Sequence, residues 1–318
     1  MNISTLFVSD SDISAKTEVL IFLRWGKDFG AQTLVMDKQT GGALSLACEV
    51  PSASGESGEI IDIIAPCGLA ARRAVVLNLG NPQSITALSL MQAGVKLARF
   101  LEVAKETQVN LIGDWPKECA LANNEIIGRL LLGLYLGSYR FALMPKQDKA
   151  HSIKCLVHSD KPDIERFNAL AEGVCLTRNL VNYPANYLHP DNFADHLKPL
   201  AEAGIAIEEL QEEPLKALDM GALLAVGGGS VRKPRLVVLR YRGENSPEQP
   251  IALVGKGICF DAGGLCIKTA KQMFPMRGDM AGAAAVAGTL LALARQKAKV
   301  HVVGILPIAE NLPSASSY

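Results

Sequence analysis

The sequence carries no excess charge of either sign: 32 Lys and Arg balance 32 Asp and Glu. Without a net positive field there is no broad electrostatic attraction for nucleic acid, and partners of that class are not expected. Long apolar runs are missing as well. The longest, Ala281 to Ala294, stands between Asp279 and Arg295 and is too short to span a bilayer. The N-terminus, MNISTLFVSDSD, has no basic segment ahead of an apolar core, so neither a signal peptide nor a membrane partner is expected. The seven cysteines (Cys48, Cys67, Cys119, Cys155, Cys175, Cys259, Cys266) are odd in number and contain no C-x-x-C pair. They read as small core hydrophobes in a reducing compartment, which makes the cytoplasm the expected location.

Several familiar site signatures are also missing. Gly255-Lys256 lacks the upstream Gly and the following Ser or Thr of a P-loop, and neither Gly227-Gly228-Gly229 nor Gly255-Lys256-Gly257 completes G-x-G-x-x-G. There is no G-x-S-x-G elbow and no H-E-x-x-H helix. The five histidines (His151, His158, His189, His196, His301) have no metal-ligand spacing.

What is present is an ordinary globular composition, 49% hydrophobic and 20% charged, over 318 residues. That length suits two domains with a substantial core. Residues 1–150 alternate strand-like runs (Thr5–Val8, Val19–Leu23, Ile60–Ile64, Ala74–Leu79, Val109–Ile112) with helical spacing at Ser84–Ala104 and Asn123–Tyr139. In the first helix Leu88, Met91, Val95 and Leu101 are expected on the buried side. This βαβα order predicts an α/β fold with a mostly parallel or mixed sheet. The polar break Met144–Ser152 marks a domain boundary, and residues 151–180 read as a linking strand and helix. Residues 181–318 form the second domain. There Asp191 is placed as N-cap of a helix over Asn192–Ala203, Arg235–Tyr241 as a central strand, and Val300–Leu306 as a last strand.

The second domain is organised around Ile251 to Leu306. An apolar β-like run, Ile251–Val254, stops at Gly255-Lys256-Gly257, followed by Asp261, Gly263-Gly264, Lys268 and Asp279, and then a small-residue helix from Ala281 to about Arg295. A Gly-rich turn at the end of a strand is where α/β sheets bind ligands. Asp261 and Asp279 both sit in apolar surroundings, where a carboxylate must be neutralised. Two chemistries do this: a pair of Lys–Asp bridges that stabilise a loop, or a carboxylate-rich metal site. Gly263 and Gly264 allow the backbone to come close to a ligand. Lys256 and Lys268 follow apolar or Gly-rich residues, and both are expected to be partly buried, where a lysine serves as neutral ligand or electrophilic donor.

The run Val254-Gly-Lys-Gly-Ile-Cys-Phe-Asp261-Ala-Gly-Gly-Leu-Cys-Ile-Lys268, continued by Met273-Phe-Pro-Met276-Arg-Gly-Asp279-Met-Ala-Gly-Ala-Ala, resembles the leucyl (cytosol) aminopeptidases of peptidase family M17. The likeness takes in Thr177-Arg-Asn-Leu-Val-Asn-Tyr-Pro-Ala-Asn, Met220-Gly-Ala-Leu-Leu-Ala-Val-Gly-Gly-Gly-Ser and Glu310-Asn-Leu-Pro-Ser. It covers about residue 175 onward; the earlier part matches mainly in its βα order. The resemblance implies an N-terminal macro-like α/β domain and an α/β/α metallopeptidase domain. It further implies an aminopeptidase that releases leucine-type N-terminal residues from peptide substrates through a two-metal-activated water. Carried over by motif, Lys256, Asp261 and Asp279 are the metal ligands, with Asp261 shared between two divalent ions (Mn2+, Zn2+ or Mg2+). Lys268 polarises the scissile carbonyl, and Met276 lines the pocket for the first side chain. A cytoplasmic homo-oligomer, a hexamer in the family, is implied too. Relatives draw further carboxylate ligands from a later N-T-D-A-E-G-R motif. None of the 318 residues forms it, so the chain is expected to be truncated within its catalytic domain. The rival expectation is a non-catalytic form: a pseudoenzyme, a binding or regulatory protein, or one half of a split enzyme.

Overall fold

A computed structural model describes residues 3–8, 18–50, 53–116, 118–143, 153–158 and 163–314. Two compact units divide between Phe167 and Asn168. In the first, the apolar runs expected as strands form strands: β1 (Ile3–Val8), β2 (Val19–Trp25), a short β3 (Asp28–Phe29), β4 (Ile60–Ile64), β5 (Arg73–Asn78), β6 (Gln108–Ile112) and β7 (Ile153–His158). Their order is β1-β7-β6-β2-β5-β4, with β3 on β2. The long-range pairs are parallel, and β4 on β5 is antiparallel. The helices are α1 (Ala31–Gln39), α2 (Ala43–Ala47), α3 (Ala87–Val103) and α4 (Asn123–Gly137), and α5 (Ile164–Asn182) contains the division between the units.

Strand β2 is buried at every position, as parallel strands covered on both faces are. Val19, Ile21 and Leu23 point to the layer holding Leu90, Leu97, Ile127 and Leu130, while Leu20 and Phe22 meet Leu44 and Cys48 on the other face. Strand β7, expected in a linking segment, pairs with β1 and β6 inside this sheet. The expected break Met144–Ser152 lies outside the described residues.

Of the four positions expected on one side of α3, Leu101 is buried, Met91 and Val95 are half-buried and Leu88 is exposed; the buried face is Leu90, Ala93, Gly94, Leu97, Ala98 and Leu101. The cause is backbone proximity. A Cβ on Gly94 would lie 2.2 Å from the Leu130 carbonyl, and one on Gly133 would lie 2.1 Å from that of Met91. Small residues therefore set the contact face, which they share with Leu90, Leu97 and Leu101.

After the turn that follows α5, the second unit runs through α6 (Lys198–Glu202), β8 (Ala206–Leu210), α7 (Glu212–Ala217), α8 (Gly221–Gly227), β9 (Arg235–Arg242), β10 (Ile251–Val254), β11 (Gly257–Asp261), α9 (Ala270–Met273), α10 (Ala281–Arg295) and β12 (His301–Asn311). The sheet order is β10-β12-β9-β8, with β11 also on β12. Strands β10 and β11 are parallel to β12; β9 is antiparallel to β12 and to β8. Leu176, Leu180, Ala283, Ala287 and Leu290 cover one face of the sheet, and Leu215 with Leu223 and Leu224 covers the other. Both units are thus mixed α/β layers.

Three expectations change here. The helix placed at Asn192–Ala203 is instead a pair of 3-10 turns (Pro190–Asn192 and Ala194–Leu197) followed by α6. Pro199 has no N–H to give and its ring would meet the carbonyl of Asp195, so a continuous α-helix is excluded. Asp191 consequently caps nothing and pairs with Arg235 at 2.5 Å. Strand β12 does not stop at Leu306 but continues through Pro307 to Asn311. The cysteines divide, with Cys48, Cys155 and Cys259 buried but Cys67 and Cys266 exposed. Burial alone lifts the Cys155 thiol to about 12.

The α3–α4 contact gives the first test. Gly94→Val should lower stability by roughly 1–3 kcal/mol through overpacking, measured as the urea midpoint by far-UV circular dichroism. Gly221→Ala, where a Cβ meets nothing within 4 Å, should be neutral or stabilising. Equal losses for the two variants would remove the close-approach explanation.

Candidate functional site

The site is built on an interruption of one sheet edge. Strand β10 pairs with Val302–Ile305 of β12, and β11 takes up the same edge at Ile308–Asn311. Between them the chain steps out at Gly255-Lys256. The Gly255 N–H donates to the Ile305 carbonyl at 3.0 Å, so that carbonyl faces the β10 side. Two residues on, Pro307 faces the same way, and its missing donor falls in the gap where no partner asks for one. That is how a proline is tolerated inside an interior strand.

Helix α10 closes the gap. The Ala283 N–H donates to the Lys256 carbonyl at 2.9 Å and satisfies one of the free donors at the helix start. The approach requires glycine, because a Cβ on Gly255 would lie 2.5 Å from the Gly282 carbonyl. Just before the helix stands Asp279, itself preceded by the 3-10 turn Phe274–Gly278. Asp279 Oδ1 accepts from Lys256 Nζ at 2.7 Å. Its Oδ2 is buried and finds no hydrogen-bond partner among the described residues.

At the far end of β11, Asp261 lies opposite Asn311 in the strand register. Its Oδ1 accepts from the Gly263 N–H at 2.9 Å and from Asn311 Nδ2 at 2.7 Å, and its Oδ2 accepts from Lys268 Nζ. Gly263 and Gly264 both have positive φ, which turns the chain back so that Lys268 reaches Asp261. Lys268 Nζ also lies 3.2 Å from Met276 Sδ. Burial pushes the Asp261 pKa up, but the hydrogen bond from Lys268 and those from Gly263 and Asn311 overcome it and hold the carboxyl below its ordinary value. Asp261 therefore stays ionised.

Lys256, Asp261 and Asn311 border one cavity of about 630 Å3, whose remaining wall is largely apolar and includes Met220, Leu223 and Val254. The burial expected for the two lysines holds for Lys268, whose side chain is 27% exposed; Lys256, standing at the open edge of the break, is 60% exposed. Both Lys–Asp pairs anticipated as one neutralising chemistry are thus formed. The donors also suit the other chemistry in part: the open Asp279 oxygen, the Asp261 carboxylate and a lysine nitrogen are ligands for a divalent cation. Among the described residues there is no group of three or more His, Cys, Asp or Glu placed to hold a metal. What fits is one side of a metal site.

Behind the site, β12 is anchored by Glu310, which is 2% exposed. Ser230 Oγ donates to it at 2.8 Å and Arg232 Nη1 at 3.1 Å. A Cβ on Gly229 would strike the Leu312 carbonyl, so the Gly-rich loop lies directly on the end of the strand. Glu310 and Asn311 figured in the sequence only within the Glu310-Asn-Leu-Pro-Ser likeness and were given no role, because Pro307 reads as the end of their strand. The apolar pair Ile308-Ala309 beyond Pro307, buried in the continuing strand, is the signal that would have found them.

Layered α/β units, the second presenting two carboxylates and two lysines from the broken edge of a sheet, define a mixed α/β protein with a carboxylate-bearing strand edge. The cytosol aminopeptidase family matches both units: its catalytic domain matches residues 175–318 and its N-terminal domain residues 21–147. The chain belongs to that family. It is 37% identical over 316 residues to a probable cytosol aminopeptidase of Chelativorans sp. (strain BNC1), covering 95% of this chain and 62% of that protein. To its counterpart in Methylorubrum populi it is 40% identical over 278 residues, 83% of this chain and 54% of that one. The chain thus spans about three-fifths of the length of the curated relatives it matches. Among solved structures, the bottromycin maturation enzyme BotP in complex with Mn superposes with a TM-score of 0.74 at 30% identity, over 94% of this chain and 60% of that one. A tomato leucine aminopeptidase variant, at 24% identity, shares the fold with a TM-score of 0.81.

The surroundings of Glu310 give a pH test. Burial lowers the His189 pKa and the Arg232 charge lowers it further, against the opposing pull of Asp191 and Glu310. The unfolded chain therefore takes up this proton first as pH falls. Stability from this group is complete above the ordinary histidine range and declines as pH drops through it towards the lower folded value. The urea midpoint should fall between about pH 7.5 and 5.5, and His189→Gln should flatten that slope. Identical slopes would discard the assignment.

Proposed function

We propose that this chain acts as a metal-dependent aminopeptidase that releases leucine-type N-terminal residues from peptides. The observation that carries the reading is Asp279 Oδ2, a buried carboxylate oxygen with no partner among the described residues, next to a lysine that is itself a competent ligand. In this reading Lys256, Asp261 and Asp279 hold divalent cations, Mn2+ or Zn2+ with Mg2+ as a third choice. Bound there, such ions supply Lewis acidity towards the peptide carbonyl and an acidified water. Lys268, which donates to Asp261, also donates to the carbonyl oxygen as negative charge develops on it. Met276, in contact with Lys268, borders the first substrate side chain. Self-association into a cytoplasmic homo-oligomer belongs to the same proposal.

The second reading is a non-catalytic form that binds cation or peptide without turnover. What favours it is that the described residues gather no three acidic, histidine or cysteine ligands. One experiment separates the two. The chain is stripped with EDTA, reloaded with Mn2+, and assayed both by thermal shift and on leucine p-nitroanilide. The aminopeptidase reading expects a Mn2+-dependent rise in melting temperature together with turnover. It also expects Lys268→Ala to reduce kcat by about 100-fold or more while the thermal shift survives. A shift without turnover selects the non-catalytic form, and no shift at all leaves the two ion pairs as purely structural.

A further inference from the structure

Oxygen Oδ1 of Asp261 has two ordinary acceptor positions, and the chain fills both, with the Gly263 N–H at 2.9 Å and Asn311 Nδ2 at 2.7 Å. Among the described residues Oδ2 receives only Lys268 and keeps a lone pair free. The carboxylate therefore has an inner oxygen committed to the protein and an outer one available to a ligand. Asn311 is well fixed for this task. Its carbonyl accepts from the Ala262 N–H at 2.9 Å, which locks the two strand ends together. Its side-chain oxygen sits where a Cβ on Gly264 would come within 2.7 Å, so the second glycine makes room for the amide. The orientation of the amide follows from its partner, since an ionised carboxylate only accepts and the NH2 must face it. An aspartate at this position would set two carboxylate oxygens against each other.

We propose that Asn311 is a positioning residue for the cation site: it occupies Oδ1 of Asp261, stops the carboxylate from rotating, and makes it present Oδ2 alone to a divalent cation. This rests on the metal-site reading above. It adds a residue outside the inferred ligand set, and it explains what the extension of β12 beyond Pro307 is for. Without the amide, the carboxylate is free to turn and chelate a cation through both oxygens, or to close on Lys268 with both.

The test measures Mn2+ affinity by isothermal titration calorimetry on the wild-type chain and on Asn311→Leu, which keeps the bulk and removes the donor. Metal-minus-EDTA infrared difference spectra of protein labelled with 13C-aspartate accompany it, because the separation of the two carboxylate stretches distinguishes one-oxygen from two-oxygen coordination. The proposal expects affinity to fall by about 10–100-fold in Asn311→Leu, the usual range for residues behind metal ligands. It also expects the separation of the aspartate bands to narrow. Loss of packing alone would weaken binding but leave the band separation as it is. Should Asn311→Leu fail to fold by circular dichroism, the smaller Asn311→Ser carries the same two readouts. Unchanged affinity and band separation in a folded variant overturn the role of Asn311 while the metal reading stands. A wild-type chain that binds no Mn2+ overturns both.

Discussion

The second unit depends on a single backbone contact: the start of α10 seated on the carbonyl of Lys256, where one edge of the sheet is interrupted. The contact needs Gly255, Gly282 and a strand partner that asks for no hydrogen bond at that point, a requirement Pro307 meets. From it the geometry of the site follows. The helix start holds Asp279 near the break; the resumption of the edge as β11 carries Asp261 to the end of β12; and the Gly263-Gly264 turn returns Lys268 to it. The site is made by main-chain placement, and its side chains are short extensions of that placement.

Much of this was legible in the order of the residues. Apolar runs gave the strands of both units, and two acids beside two lysines around glycine gave the site. What escaped had local physical causes. Pro307 reads as a strand terminator because proline removes a ladder donor, and only the position of the gap on the neighbouring edge shows that the donor was never needed. For α3, large apolar residues were a poor guide because Gly94 and Ala98 let α4 approach along their side, leaving Leu88 outside. Asp191 has the residue type of an N-cap, but the helix it would cap is broken by Pro199, and Arg235 takes the carboxylate instead. In each case a residue two or more elements away decided the outcome.

The electrostatics of the two acids are not equivalent, and the difference bears on their roles. Asp261 is held by three kinds of donor, an ammonium, a backbone N–H and a side-chain amide, which together keep it ionised and oriented. Among the described residues Asp279 has one partner and one open oxygen. The first carboxylate is fixed on both oxygens; the second keeps acceptor capacity to spare.

That asymmetry weighs on the choice between a structural ion pair and a cation site. Lys256 is 60% exposed, and an ion pair with so open a lysine is worth about 0.2–1 kcal/mol at most. Leaving a buried carboxylate oxygen unsatisfied costs about 1–3 kcal/mol. The Lys256–Asp279 pair is thus too weak to account by itself for holding Asp279 in a buried position with Oδ2 unpaired. A cation that engages Oδ2 would remove the deficit directly, and the exposed Lys256 can move to make room for it with little loss of packing. Lys268, more enclosed and bound to the better-satisfied acid, has less freedom to move.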